Sequence, residues 1–202
     1  MSRPYSSELR TARAQANRQT VVDTAQRMFI DEGWTATTMA KVAEASGLTR
    51  QTVYQQFDSK LSLLDACIDN ALSDGRAIPV RDMPEYQQMG VGDTRIRIDA
   101  GARWLCSAHE RSAVIQNVLD QAAVTDVEAA ARLAVRENTR WAEVRWATSL
   151  ILGSEPADDV VDGMWTLTSR RIWLMLVRDR GWTADRWRQW FTVQAGAIVA
   201  SA

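Results

Sequence analysis

Residues 38–57 read Thr-Met-Ala-Lys-Val-Ala-Glu-Ala-Ser-Gly-Leu-Thr-Arg-Gln-Thr-Val-Tyr-Gln-Gln-Phe, and this stretch decides the fold. Met39, Val42 and Ala43 recur at helical spacing, Gly47 offers a residue that tolerates positive φ just past that helix, and Thr49 is a good N-cap for a second one. Leu48, Val53 and Phe57 are then the inward side chains of the second helix and its entry. Two short helices across a tight turn form a helix-turn-helix, in which the second helix is free to enter a DNA major groove.

A helical repeat of about 100° per residue fixes the facing of that second helix once Val53 points inward. Gln51 and Gln55 fall nearly opposite Val53, Thr52 and Tyr54 lie on the flanks, and Arg50 and Gln56 sit at the ends. The outer face thus carries amides and hydroxyls in place of the Glu/Lys mixture of an ordinary solvated helix. Gln pairs bidentately with adenine, Arg with guanine, and Thr or Tyr hydroxyls reach phosphates. The other reading is a polar surface helix on an unrelated bundle.

Upstream, residues 16–33 read as an amphipathic helix with Val21 or Val22, Ala25, Met28 and Phe29 on one face, ending at Gly33 with Trp34 behind it. Downstream, Asp58 or Ser59 caps a further helix through Ala71 or beyond. Lys60 stands in its first turn, where a cation opposes the macrodipole unless an anion such as a DNA phosphate docks there; otherwise it is simply solvated.

These residues resemble the TetR-like (TetR/AcrR) transcriptional regulators. The family's Phe-x-x-x-Gly-[Tyr/Phe/Trp]-x-x-[Thr/Ser]-[Thr/Ser] pattern is matched by Phe29, Gly33, Trp34, Thr37 and Thr38. Its next block is matched by Val42, Ala43, Ser46, Gly47, Leu48 and Thr49, and its closing Tyr-x-x-Phe-x-[Ser/Asn]-Lys by Tyr54, Phe57, Ser59 and Lys60. Two positions depart from the pattern: Gln56 replaces an aromatic or His, and Ser62 replaces a capping-box Glu. The resemblance implies an all-α protein with a three-helix DNA-binding domain and a larger helical ligand-binding and dimerisation domain. With the residue reading, it makes Thr38, Thr49, Arg50, Gln51, Thr52, Tyr54, Gln55 and Lys60 the expected DNA contacts.

Composition agrees. Four Pro and ten Gly in 202 residues suit a helical chain long enough for a substantial core. A formal net charge of −1 argues against coating nucleic acid by bulk electrostatics, yet residues 1–60 hold eight Lys/Arg against six Asp/Glu. Arg3, Arg10, Arg13 and Arg18 against Glu8 read as a basic N-terminal arm, able to lie along phosphates or enter a minor groove; a frayed, solvated terminus would have the same composition. Cys67 and Cys106 lack metal-ligand or CxxC spacing and are expected as reduced core side chains of a cytoplasmic protein. Neither a signal peptide nor an apolar run of membrane-spanning length is read.

The expected domains are residues 1–60, the helix-turn-helix with its arm, and 61–202. After a break at Gly75, the Pro- and Gly-marked residues 78–92 read as a linker or a loop over a cleft. Helices follow over 93–107 and 110–122, with His109 at a boundary. Thr125-Asp126-Val127-Glu128 reads as a capping box with Thr125 as N-cap, opening a helix to about Leu152 that stops at Gly153. The next helix runs from Ser154 to Arg180 with a stripe of Val161, Trp165, Thr168, Ile172 and Leu176. In the last, from Thr183, Trp182 and Trp187 are spaced as a hydrophobic staple, and Trp187, Trp190, Phe191, Gln194 and Ile198 turn inward. A two-sided helix beside a Trp-rich amphipathic one calls for a partner surface. A four-helix bundle with a second copy supplies it, as the resemblance also implies.

Nine Trp are present, and Trp104, Trp141, Trp146 and Trp165 are the candidates to line a pocket for an apolar or aromatic small-molecule inducer. With one histidine, no Gly-rich phosphate loop and no nucleophile elbow, an enzyme is not expected, nor a cofactor or a metal. The reading is a homodimeric bacterial repressor that binds a palindromic operator and is released by an inducer. Its alternative is a helical ligand-binding or adaptor dimer without specific DNA binding.

Overall fold

In the computed structural model, which describes the backbone of residues 5–201 and side chains from residue 9 onward, every regular element among the described residues is helical. The chain divides into two compact units, the first ending at Asn70 and the second beginning at Ala71.

The first unit opens with α1 (Tyr5–Ala36), eleven residues earlier than the periodicity of 16–33 predicts. Residues 5–15 hold no Gly or Pro, so they continue the helix, and the exposed side chains of residues 9–15 leave no apolar stripe to read. The expected basic arm is therefore helical where it is described; Arg3 and the Glu8 side chain lie outside the described residues. Val21, Val22, Ala25 and Phe29 form the buried face of α1, while Met28 is only half-buried. At Gly33, φ of +78° breaks the helical path and turns Trp34 back to stack on Phe29, ring centroids 6.0 Å apart.

α2 (Met39–Ala45) and α3 (Arg50–Gln56) follow, each seven residues long. Gly47 at φ +68° ends α2, with Leu48 N–H donating to Ala43 O and Gly47 N–H to Glu44 O, a Schellman arrangement that reverses the chain. α4 (Lys60–Leu72) begins after a cap in which Ser59 Oγ accepts from Ser62 N–H and Ser62 Oγ accepts from Ser59 N–H. Ser62 thus does the reciprocal work of the Glu that the family pattern carries. The units divide after residue 70, ten residues later than the sequence places the boundary. α4 is tied into the first unit by Cys67 Sγ–H to Val22 O at 3.5 Å and by Gln19 to Asn70 at 3.2 Å.

In the second unit, α5 (Pro84–Gln87) lies between two single turns of 3-10 helix, Val80–Asp82 and Gln88–Gly90. α6 (Thr94–Ala122) is one unbroken helix where the sequence suggested two, because residues 102–122 contain neither Gly nor Pro; His109 is mid-helix and buried. α7 (Val127–Leu152) is capped by Asp126, whose carboxylate accepts from Glu128 and Ala129 N–H, one residue after the predicted Thr125. The predicted long helix of 154–180 is broken into α8 (Asp158–Leu167) and α9 (Arg170–Trp173), the latter running into a π-helical stretch, Leu174–Asp179. Thr168 and Ser169 interrupt it, Ser169 capping α9 through Arg171 N–H. The break changes the phase, so the buried stripe is Val161, Met164, Leu167, Trp173 and Leu174, while Trp165, Thr168, Ile172 and Leu176 are half-buried.

α10 (Ala184–Ala200) is capped by Thr183 as expected. Its buried stripe is Trp187, Phe191, Ala195 and Val199, with Trp190, Gln194 and Ile198 only partly covered. Trp182 meets Trp190 edge-on at 6.0 Å; Trp187 goes instead into the core against Trp173 and Phe191, so the predicted staple is not made. α10 packs on α6 and α8, and α6 on α7.

Candidate functional site

The recognition surface is built on α3. Its N-cap Thr49 accepts from Thr52 N–H at 3.1 Å, and the two hydroxyls lie 2.8 Å apart. Val53 at 0% and Phe57 at 4% exposure anchor the helix, while Leu48 at its entry is only half-buried. Arg50, Gln51, Tyr54 and Gln55 are all exposed, together with Thr49, and Thr52 is half-buried. The helix contains no acidic residue, so nothing on it repels phosphate.

Arg18 holds the far end of α3. Its guanidinium donates to Gln56 O at 2.8 Å and lies 4.1 Å from the Phe57 ring centroid, so Arg18 supports the recognition helix from α1. The sequence reading placed Arg18 in an arm, because nothing local connects it to a residue 38 positions later.

Thr38 is exposed and caps α2 by accepting from Lys41 N–H at 3.2 Å. The ammonium of Lys60 donates to Trp34 O at 2.9 Å and sits 3.9 Å from the Trp34 ring centroid. Lys60 therefore joins the start of α4 to the turn after α1, and its charge is shared with that turn.

The second unit sorts the four candidate Trp into two places. Trp104 of α6 and Trp146 of α7 both meet the ring of Tyr86, at 4.7 and 5.5 Å respectively. Trp141 and Trp165 lie at the seam of α7 and α8. Trp141 Nε1–H donates to Asp162 at 2.8 Å under the Arg145 guanidinium, and Arg140 covers Trp165 while donating to its carbonyl at 2.8 Å. A separate groove of about 450 Å³ opens between the start of α6, the end of α7 and the end of α10, lined by Thr94, Ile98, Leu152, Thr192, Gly196 and Val199 among others and by none of the four Trp.

Two features of this unit carry no local sequence signal. Arg170 is 5% exposed and donates to both oxygens of Asp120, at 2.8 and 2.7 Å, and to Glu137 at 2.5 Å, linking α6, α7 and α9. Burial alone would raise the carboxyls of Asp120 and Glu137, but the Arg170 guanidinium, joined by Arg171 at Asp120 and Arg140 at Glu137, more than offsets it and both are held below their ordinary values. His109 lies among Trp173 and Trp187 at 5.4 and 5.7 Å, and burial pushes its pKa down to about 3, so it is neutral. Both cysteines are free and buried; burial raises Cys67 to about 12 and Cys106 to about 11. Among the described residues, no group of three His, Cys, Asp or Glu could hold a metal ion, and no helix is long and apolar enough to cross a membrane.

Residues 21–67 match the family model described as bacterial regulatory proteins, tetR family. The HTH-type transcriptional regulator TtgR of Pseudomonas putida is 37% identical over 57 residues, covering 28% of this chain and 27% of TtgR. The HTH-type transcriptional regulator AlkX of Mycobacterium tuberculosis is 34% identical over 26% of this chain and 29% of its own length. The chain thus spans little more than a quarter of the length of these curated relatives. A solved TetR-family transcriptional regulator from Rhodococcus sp. shares the fold with a TM-score of 0.62 and 17% identity, over 91% of this chain and 99% of its own. A second solved structure, of a TetR-like regulator also from Rhodococcus sp., does so at 0.58 and 18%, over 92% and 97%. The names carried by these proteins are those of transcriptional regulators and not of enzymes. Residues 21–67, the helices just described, are thus similar in sequence to the bacterial regulatory proteins of the tetR family, and the chain shares its fold with solved regulators of that name.

Proposed function

We propose that this protein is a DNA-binding transcriptional regulator that docks as a homodimer on a palindromic operator, represses from it, and is released by a small-molecule inducer bound in the unit that begins at Ala71. One observation carries the reading: α3 presents Arg50, Gln51, Tyr54 and Gln55 outward from a helix anchored by Val53 and Phe57. Side chains with bidentate hydrogen-bonding capacity on a rigid helix are what base readout requires. Thr38, Thr49 and Thr52 lie near the helix starts, where hydroxyls and free N–H groups suit phosphate. Lys60 adds positive charge to that surface through its Trp34 anchorage.

Release follows if the inducer binds more tightly to the state in which the two recognition helices are misplaced for successive major grooves. Equal affinity for both states would shift nothing. α4 runs across the division at residue 70 as one continuous helix and is the covalent route by which a change in the second unit reaches the first.

Footprinting of the purified protein on the DNA flanking its own gene tests this. Two protected half-sites about one helical turn apart are expected. Uniform, unphased protection would leave only generic phosphate affinity and remove the operator reading.

A further inference from the structure

Residues 79–91 form short turns closed by their own backbone: Met83 N–H donates to Val80 O, Tyr86 N–H to Met83 O and Val91 N–H to Gln88 O. From this irregular stretch Met83, Tyr86 and Met89, three residues apart, enter the helical core and are 0%, 3% and 3% exposed. The Tyr86 ring fills a slot between two indoles. It stacks on Trp146 at 5.5 Å with planes 18° apart and meets Trp104 edge-on at 4.7 Å and 83°. α6 makes room for the neighbouring Met89, since a Cβ on Gly101 would stand 3.3 Å from Met89 Sδ.

Three properties of the slot define what else fits. The Trp146 wall is met face to face and the Trp104 wall edge-on, so a planar ring can stack on one indole while meeting the other at a right angle. The charges at its mouth are already paired, because Arg81 donates to Glu143 at 2.7 Å while lying 4.7 Å from the Trp146 ring centroid. Trp104 Nε1 is buried and has no hydrogen-bond partner among the described residues, so the indole that forms this wall carries an unused donor. The Tyr86 side chain comes from one-turn helices in place of a long one, and such a segment is the part of a core that opens most readily.

We propose that the slot between Trp104 and Trp146 is the effector site, that Tyr86 occupies it in the state seen here, and that a planar, uncharged aromatic compound bearing a hydrogen-bond acceptor takes it by displacing the Tyr86 ring. The proposal rests on the inducer-responsive reading above and adds the ligand class and the moving part. Displacement frees residues 79–91 from α6 and α7, and the acceptor's bond to Trp104 supplies a contact that exists only in the liganded state.

Coumarin, planar and uncharged with a lactone carbonyl, is a suitable probe. Calorimetric titration is expected to give a dissociation constant about tenfold lower for Tyr86→Ala than for the unaltered protein, since the resident competitor is gone. Adding Trp104→Phe, which keeps a ring and removes the N–H, should reverse most of that gain. In the unaltered protein, saturating coumarin should speed amide exchange in residues 79–91 while leaving α7 protected. A folded Tyr86→Ala protein that binds coumarin no tighter, exchange in 79–91 that is unchanged or slowed, or no coumarin binding by either protein would each overturn the proposal. If Tyr86→Ala does not fold, the exchange measurement on the unaltered protein decides alone. No DNA enters these assays, so failure of operator binding would strike the regulator reading and leave the slot standing.

Discussion

Arg170 is a cation buried among two carboxylates, and its replacement shows what such a group contributes. Removing it leaves Asp120 and Glu137 without their main counter-charge in a poorly solvated site. Breaking a buried pair by deleting one partner costs about 3–5 kcal/mol. Arg170→Met is therefore expected to lower unfolding free energy by about that amount in urea titrations followed by circular dichroism. A loss below about 1 kcal/mol would place the network among surface ion pairs in energetic terms. His109 makes a separate prediction in pH. Its folded pKa is depressed by burial to about 3 from the ordinary 6.5, so the unfolded chain takes up a proton that the folded one refuses. The stability this group contributes is present above pH 6.5 and is lost as pH falls towards 3. His109→Leu should flatten the stability profile between pH 6.5 and 5 by about one proton, above the range in which Asp120 and Glu137 protonate. An unchanged slope would mean that His109 is charged in the folded protein.

At the scale of elements, local chemistry was legible and phase was not. The Gly47 turn, the Thr49 cap and the Thr183 cap could be read directly, because each depends on residues within one helical turn. The outward face of α3 was legible too, since a seven-residue helix with Val53 inward leaves little freedom. The break at Thr168 and Ser169 was not, because both residues are tolerated in helices and only the packing on either side rephases the chain. Nor was the plug of Met83, Tyr86 and Met89, although their three-residue spacing was a signal available in the sequence. The α7 cap was misplaced by one residue, and that difference can be measured. Asp126→Ala should cost about 1 kcal/mol, while Thr125→Ala should cost less than about half of that. The reverse order would restore Thr125 as the cap.

For the whole molecule, the account requires two copies. α10 buries Trp187, Phe191, Ala195 and Val199 within its own unit and leaves Trp190, Gln194 and Ile198 partly covered, with Val193 67% exposed. An apolar strip of that kind beside α8 is the surface expected to meet a second copy. Sedimentation should give about twice the 22.6 kDa chain mass, and Val193→Glu should shift the population towards the single chain. A single-chain mass at all concentrations would remove the dimer and with it the palindromic operator. The central claim, that the outer face of α3 reads base sequence, is tested most directly by fluorescence-polarisation titration. The protein and its Gln51→Ala variant are compared on the DNA flanking the gene, at two salt concentrations with excess nonspecific competitor. The account predicts a salt-sensitive, competitor-resistant complex whose sequence preference Gln51→Ala relaxes. Binding that competitor abolishes, or a preference that Gln51→Ala leaves unchanged, would contradict it.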